Sequence, residues 1–190
     1  MLKYAMRAVP GLLVAILAVP ALWATTAVER TETDLVQESA IIVTGRCTGL
    51  QSQWIDRDLV TVATIQVSEV LKGSAGPTVS VVLPGGVDTH RRIPVAMSVA
   101  AAPEIQQQEN VLLFLTPEDR IAAGYAVVGF SQGKFTVAQG PAGKTLATQD
   151  LSALNLQGRG GSSRRGAAKT ILLDELRRRI RETPEIDRQR

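Results

Sequence analysis

Between Ile41 and Val137 apolar side chains recur at every second position in short runs, and turn-forming residues interrupt those runs at intervals. A period of two sends successive side chains to opposite faces of an extended chain, so the pattern fits strands and not the 3.6-residue repeat of a helix. Ile41, Val43, Gly45 and Cys47 alternate, and Leu50, Ser52 and Trp54 continue in the opposite parity. That change of phase places a β-bulge or a sharp bend near Gly49. Asp56-Arg57-Asp58 is a turn, and Leu59 to Leu71 is the next strand, with Ala63, Ile65, Val67 and Leu71 on one face. After the turn Lys72–Pro77, Val79, Val81 and Leu83 alternate until Pro84-Gly85-Gly86 stops the strand. Val111-Leu-Leu-Phe-Leu115 is apolar on both parities and reads as a central strand. Tyr125 to Phe130 and Lys134 to Val137 form a last pair.

About six strands spaced this way predict an all-β, OB-like small barrel over 39–138, with a β-sandwich as the alternative. No helical period separates the strands, which excludes a doubly wound α/β sheet. Residues 87–108 lack periodicity and are long for a structureless loop, so they are expected to be functional or partly mobile. Residues 139–166 are rich in Gly, Gln, Ser and Ala and read as a flexible linker. Leu172, Leu176 and Ile180 then repeat every fourth residue, predicting a C-terminal amphipathic α-helix over 167–183 and a disordered tail over 184–190. Arg177, Arg178, Arg179 and Arg181 crowd its last turns, where cations favour the helix dipole.

The N-terminus carries an address. Lys3 and Arg7 precede the short apolar run Gly11–Val19, Pro20 breaks it, and small residues follow at Ala24-Thr-Thr-Ala27. This is the three-part pattern of a secretory signal peptide over 1–27, followed by a polar lead over 28–38. Cleavage is expected after Ala24 or after Ala27, with Leu22 or Thr25 three residues back; an uncleaved anchor is the other reading. The run is shorter than the ~20 residues a membrane span needs, so no stable transmembrane segment is expected after cleavage. The product is expected to be exported, periplasmic or secreted.

Charge separates along the chain. Residues 28–149 hold nine basic and twelve acidic side chains, and residues 150–190 hold ten basic and six acidic ones. The β-region thus has no basic surplus for phosphate, and aromatics are only 4% of the chain, so no nucleic-acid partner is expected.

The runs Ala40-Ile-Ile-Val-Thr-Gly-Arg46, Ile65-Gln-Val-Ser-Glu-Val-Leu-Lys-Gly73, Val79-Ser-Val-Val-Leu-Pro-Gly85, Glu109-Asn-Val-Leu-Leu-Phe-Leu115 and Gly133-Lys-Phe-Thr-Val137 form a pattern. It resembles an uncharacterised exported bacterial β-protein family and, more remotely, the netrin-like OB barrel of tissue inhibitors of metalloproteinases. The resemblance covers about half the chain and implies a fold and a secreted binding module. Members of the inhibitor family chelate a protease zinc through an N-terminal Cys held by disulfides. This chain has Cys47 alone, so no inhibitory residue carries over.

Few residues suggest chemistry. Cys47 with His90 would be the nucleophile and base of an enzyme, but Cys47 lies on the buried parity of its strand. Asp88, His90 and Glu104 are too few and scattered for a metal site. Ala138-Gln-Gly-Pro-Ala-Gly-Lys144-Thr145 matches a relaxed phosphate loop without the helix it needs, and reads as a surface turn. No cofactor and no metal are expected. The expected function is a non-enzymatic exported binding or interaction module acting on another exocytoplasmic protein. Its candidate surface is the 84–108 loop, with Trp54, His90, Arg91 and Arg92 as binding residues. Two alternatives remain: an envelope-associated structural protein tethered through its Arg-rich C-terminal helix, and an enzyme using Cys47 and His90.

Overall fold

The computed structural model describes residues 25–184. The signal segment expected over 1–27 lies outside the described residues up to position 24, and the expected tail lies outside them from position 185. Strand β1 (Thr25–Val28) is followed by helix α1 (Glu32–Glu38), then β2 (Ile41–Ile55), β3 (Asp58–Lys72), β4 (Thr78–Pro84), β5 (Gly86–Asp88) and β6 (Val95–Met97). Next come β7 (Asn110–Glu118), β8 (Gly124–Val127), β9 (Lys134–Gln139), β10 (Thr145–Gln149), β11 (Leu154–Gln157), β12 (Ser163–Arg165) and β13 (Lys169–Leu172). Helix α2 (Leu173–Glu182) closes the described chain. The all-β class and the C-terminal helix are as expected.

An eight-stranded sheet runs in the order β13-β10-β9-β7-β2-β3-β4-β8, and β8 also pairs with β7. The strands β7, β2, β3, β4 and β8 therefore hydrogen-bond in a closed circuit, antiparallel at every joint except β4–β8, which is parallel. Asp56 takes a left-handed φ of 56° and turns β2 into β3, a conformation that Asp tolerates better than most residues. The first core, on one face of these strands, holds Val43, Cys47, Ala63, Ile65, Val81, Val111, Leu113 and Leu115.

The alternation along β2 and β3 is reset three times, at Ile42/Val43, Thr44/Gly45 and Cys47/Gly49. The last shift is the expected irregularity at Gly49, and it leaves Thr48 with no residue opposite. The other two leave Ser68 and Leu71 unopposed on β3. Each extra residue reverses the side-chain phase, so Val67 packs on the first core and Leu71 on the second, not on one face as the plain alternation predicts.

The second core lies across β7 and holds Leu35, Val36, Ile42, Leu112, Phe114, Phe135, Ala147, Leu173, Leu176 and Ile180. Helices α1 and α2 cover it. The first is fixed by a capping box: Thr31 Oγ1 accepts from the Asp34 amide at 3.1 Å, and Asp34 Oδ2 accepts from the Thr31 amide at 2.9 Å. The polar lead expected over 28–38 is thus built into the fold.

Residues 139–166 are not a flexible linker. They contain β10, β11 and β12, and Leu151, Leu154 and Leu156 form a third buried cluster against Ala27 and Ala101. The glycine-rich stretch misleads because its glycines make a turn: the Gly158 amide donates to Ser162 O, and Gly161 adopts φ 80°. Helix α2 also starts later than position 167. Lys169–Leu172 pairs with the open edge of β10, where Thr148 and Thr170 join hydroxyls at 3.0 Å, and the β-branched pair Thr170-Ile171 suits a strand. The apolar face of α2 is buried against its own sheet. That face is therefore not free for contact with an envelope, while Arg178, Arg179 and Arg181 remain about half exposed on the other side of the helix.

Leu154→Ala should lower unfolding stability by about 2–4 kcal/mol in denaturant titration. Leu172→Ala, at a side chain 42% exposed, should change it by less than about 0.5 kcal/mol. A Leu154→Ala chain as stable as the parent would return this region to the status of a flexible linker.

Candidate functional site

The chain leaves β4 at Pro84 and enters the β5–β6 ribbon through Gly85, whose φ is 91° and whose added Cβ would lie 2.6 Å from the Met97 carbonyl oxygen. At Gly86 a Cβ would meet Ser52 Oγ at 2.7 Å and Thr61 Oγ1 at 2.8 Å. Only glycines allow the ribbon to sit this close on the β2–β3 hairpin. The gap is bridged by hydroxyls. Thr61 Oγ1 donates to Gly85 O at 2.9 Å, and the Val87 amide donates to Ser52 Oγ at 3.1 Å.

Asp88 is the hub of the site. Trp54 Nε1 donates to Asp88 Oδ2 at 2.7 Å, and Arg91 Nε donates to the same oxygen at 2.9 Å. The His90 amide donates to Asp88 Oδ1 at 3.0 Å, closing an Asx turn. The Arg91 guanidinium lies over the Trp54 ring, 4.6 Å from its centroid, in cation–π contact. The hydrogen bond from Trp54, with those from the His90 amide and Arg91, holds the Asp88 carboxyl below the usual aspartate range. Trp54 is half-buried.

Of the expected binding residues, Trp54 and Arg91 are thus brought together, and His90 joins through its backbone. Arg92 and the His90 imidazole project from the ribbon tip, and among the described residues neither has a hydrogen-bond or ion-pair partner. Asp88, which the sequence offers only as one of three scattered metal-ligand candidates, is the residue that organises the others. Its Asx turn with His90 was the local signal available. Ser52 and Thr61 gave none, because their role depends on the pairing of two strands.

The tip is apolar as well as basic. Ile93 is 75% exposed and Val87 54%, and Met97 and Val99 are also open to solvent. Beside the ribbon runs a groove of about 550 Å³ lined by Leu50, Pro84, Val87, Met97, Val99 and Pro103.

A second, polar groove of about 590 Å³ includes Glu104, Glu109, Ser131, Lys134 and Asp150. Its floor is self-satisfied. Lys134 Nζ and Thr136 Oγ1 both lie 2.6 Å from Glu109 Oε1, and the Gln106 amide donates to Oε2 at 2.8 Å. Burial alone would raise the Glu109 carboxyl, but the bonds from Lys134, Thr136 and Gln106 outweigh it and hold it low.

Cys47 does not meet His90. It is buried in the first core, and burial pushes its thiol up, away from the reactive thiolate. Glu104 lines the polar groove and is not among the partners of Asp88. Among the described residues no three His, Cys, Asp or Glu side chains are placed to hold a metal ion. The stretch Ala138–Thr145 is the end of β9, the turn at 140–144 and the start of β10, and Lys144 opens no helix.

No family model, curated protein or solved structure matches the chain.

Because the folded Asp88 carboxyl titrates below its unfolded value, its contribution is present above the ordinary aspartate range and is lost as pH falls through the folded value. Trp54 is the only tryptophan after residue 24. Its emission in a chain beginning at residue 25 should be constant from pH 8 to about pH 5 and shift below about pH 4. Asp88→Asn should abolish that acid transition and release Arg91 from the ring. An unchanged acid profile in Asp88→Asn would remove Asp88 from the centre of the site.

Proposed function

We propose that this chain is an exported, non-enzymatic binding module that recognises another protein outside the cytoplasm, in a periplasm or beyond it. In this reading the closed circuit of β7, β2, β3, β4 and β8 is an OB-like barrel, and the β5–β6 ribbon is its recognition element. The circuit has the strand number of an OB fold and a single parallel joint, which supports that reading over a two-sheet sandwich.

The observation that carries the proposal is the exposed apolar tip of an anchored ribbon. Ile93 gains the fold little where it stands, since three-quarters of it faces water. An apolar side chain with Arg and Met neighbours matches the composition of interface cores. Trp54, Asp88, Ser52 and Thr61 hold the base of the ribbon before a partner arrives, which lowers the ordering cost of binding. Arg92 and His90 beside Ile93 favour a partner surface that offers an apolar cleft edged by carboxylates.

The test is capture from an exocytoplasmic extract with the parent chain, Ile93→Asp and Arg92→Glu side by side. A specific partner should be held by the parent and bound at least about tenfold more weakly by Ile93→Asp, with melting temperatures within about 2 °C of each other. Equal retention by Ile93→Asp would move recognition away from the ribbon. Absence of any reproducible partner would overturn the binding-module reading.

A further inference from the structure

We infer that the partner is engaged by strand addition: an extended segment of that protein, apolar at alternate positions and acidic at one end, pairs with the open edge of β6. The inference rests on the binding-module reading and goes beyond it by naming the shape and chemistry of what the ribbon takes.

The β5–β6 ladder decides which backbone groups of β6 are already in use. Gly86 stands opposite Met97, Val87 opposite Ala96 and Asp88 opposite Val95. The Val87 amide donates to Ser52 Oγ, away from β6. In an antiparallel pair, residues that exchange hydrogen bonds alternate with residues that do not, so Val87 and Ala96 are a non-bonded pair. The Met97 carbonyl agrees with this phase, since it faces β5 closely enough that a Cβ on Gly85 would lie 2.6 Å from its oxygen. Ala96 therefore turns both its N–H and its C=O outward, and Ser98 continues the phase. Among the described residues no backbone or side-chain group pairs with either from that side, and both residues are exposed. Pro94 has no amide, so the outward donors are those of Ala96 and Ser98.

The side chains along this edge follow a period of two. Val95 and Met97 share one face of β6, and Ile93 and Val99 extend the alternation past its two ends. Ile93 is 75% exposed, and Met97 and Val99 are 36% each. Proteins usually blunt an open edge with charge. Strand β12, at the edge of the three-stranded sheet, is blunted in this way by Arg164 and Arg165. Strand β6 carries no charge, and the groove of about 550 Å³ has Ala96, Met97, Ser98 and Val99 in its wall. Strand addition uses both features: main-chain bonds give affinity, and alternate side chains give specificity.

Charge selects another protein over a second copy of this chain. Antiparallel self-pairing centred on Ala96 would set His90, Arg91 and Arg92 opposite Ala102, Ala101 and Ala100. None of these offers a carboxylate, and Pro94 would leave the opposing Ser98 carbonyl without a donor. A foreign strand with carboxylates beside Arg92 and the His90 imidazole matches the charge at that end.

The experiment measures binding of a labelled peptide to the full chain by fluorescence anisotropy. The peptide alternates Val and Thr and carries a Glu pair at one terminus, placed at either end in turn. At least one orientation should bind. Methylating the amide nitrogens of its Val residues, or those of its Thr residues, blocks opposite edges of the peptide strand. The two methylated forms should differ in affinity by at least about tenfold, because only one edge can meet β6 with the apolar face and the acidic end both in place. Two methylated peptides that bind alike, or a parent peptide that does not bind, would overturn strand addition. Ala96→Pro removes the outward amide and takes no bond from the β5–β6 ladder. It should weaken the peptide at least about tenfold while melting within about 2 °C of the parent chain. An exocytoplasmic partner lost by Ile93→Asp but held by Ala96→Pro would overturn strand addition and leave the binding-module reading standing, whereas absence of any partner would overturn both. A dimer in sedimentation that Ala96→Pro dissolves would overturn the inference in favour of a second copy.

Discussion

Strand β7 must be covered on both faces, and the rest of the molecule answers that demand. Val111, Leu113 and Leu115 point one way, and Leu112 and Phe114 point the other, all five fully buried. A sheet whose central strand is apolar on both sides cannot leave either side in water. One face is covered when the sheet closes on itself through β2, β3, β4 and β8. The other is covered by α1, α2 and the extension through β9 and β10, where Phe135 meets Phe114 with ring centroids 5.9 Å apart.

Covering the second face draws both ends of the chain into one unit. Helix α2 buries Leu173, Leu176 and Ile180, and its arginines are largely committed to acids of this same chain. Arg177 and Arg181 meet Glu69 on β3, and Arg179 meets Glu32 on α1. Exposed pairs of this kind add little stability each, but they use up the positive charge that the sequence displays on this helix. The helix reads as an independent basic module only while its partners, more than one hundred residues away, are out of view.

What was legible followed from locality. The alternation of β2, β3, β4 and β9 is written in neighbouring residues, as are the Gly49 irregularity and the double-faced run at Val111–Leu115 of β7. Elements whose stability comes from a distant partner were not legible. The sparse apolar residues Leu151, Leu154 and Leu156 lie among Gly, Gln and Ser, and they become a core only because β1 lies beside β11. Lys169–Leu172 shares its apolar spacing with the helix that follows, and the open edge of β10 decides that it is a strand. At the site, the pairing of Trp54 with Asp88 spans 34 residues and depends on Gly85 and Gly86 letting the ribbon fold back.

The ribbon separates a held base from an exposed tip. Its base is fixed by neutral hydroxyls, a tryptophan N–H and one carboxylate, none of which needs the tip to be apolar. A polar residue at position 93 would satisfy the fold equally well, because the side chain there touches mostly water. An exposed Ile on an anchored ribbon carries the cost of ordered water around it with no gain in the free protein. That cost would turn into a gain only if another surface covered the tip, and the hydrogen bonds at Asp88 hold the backbone in place without one.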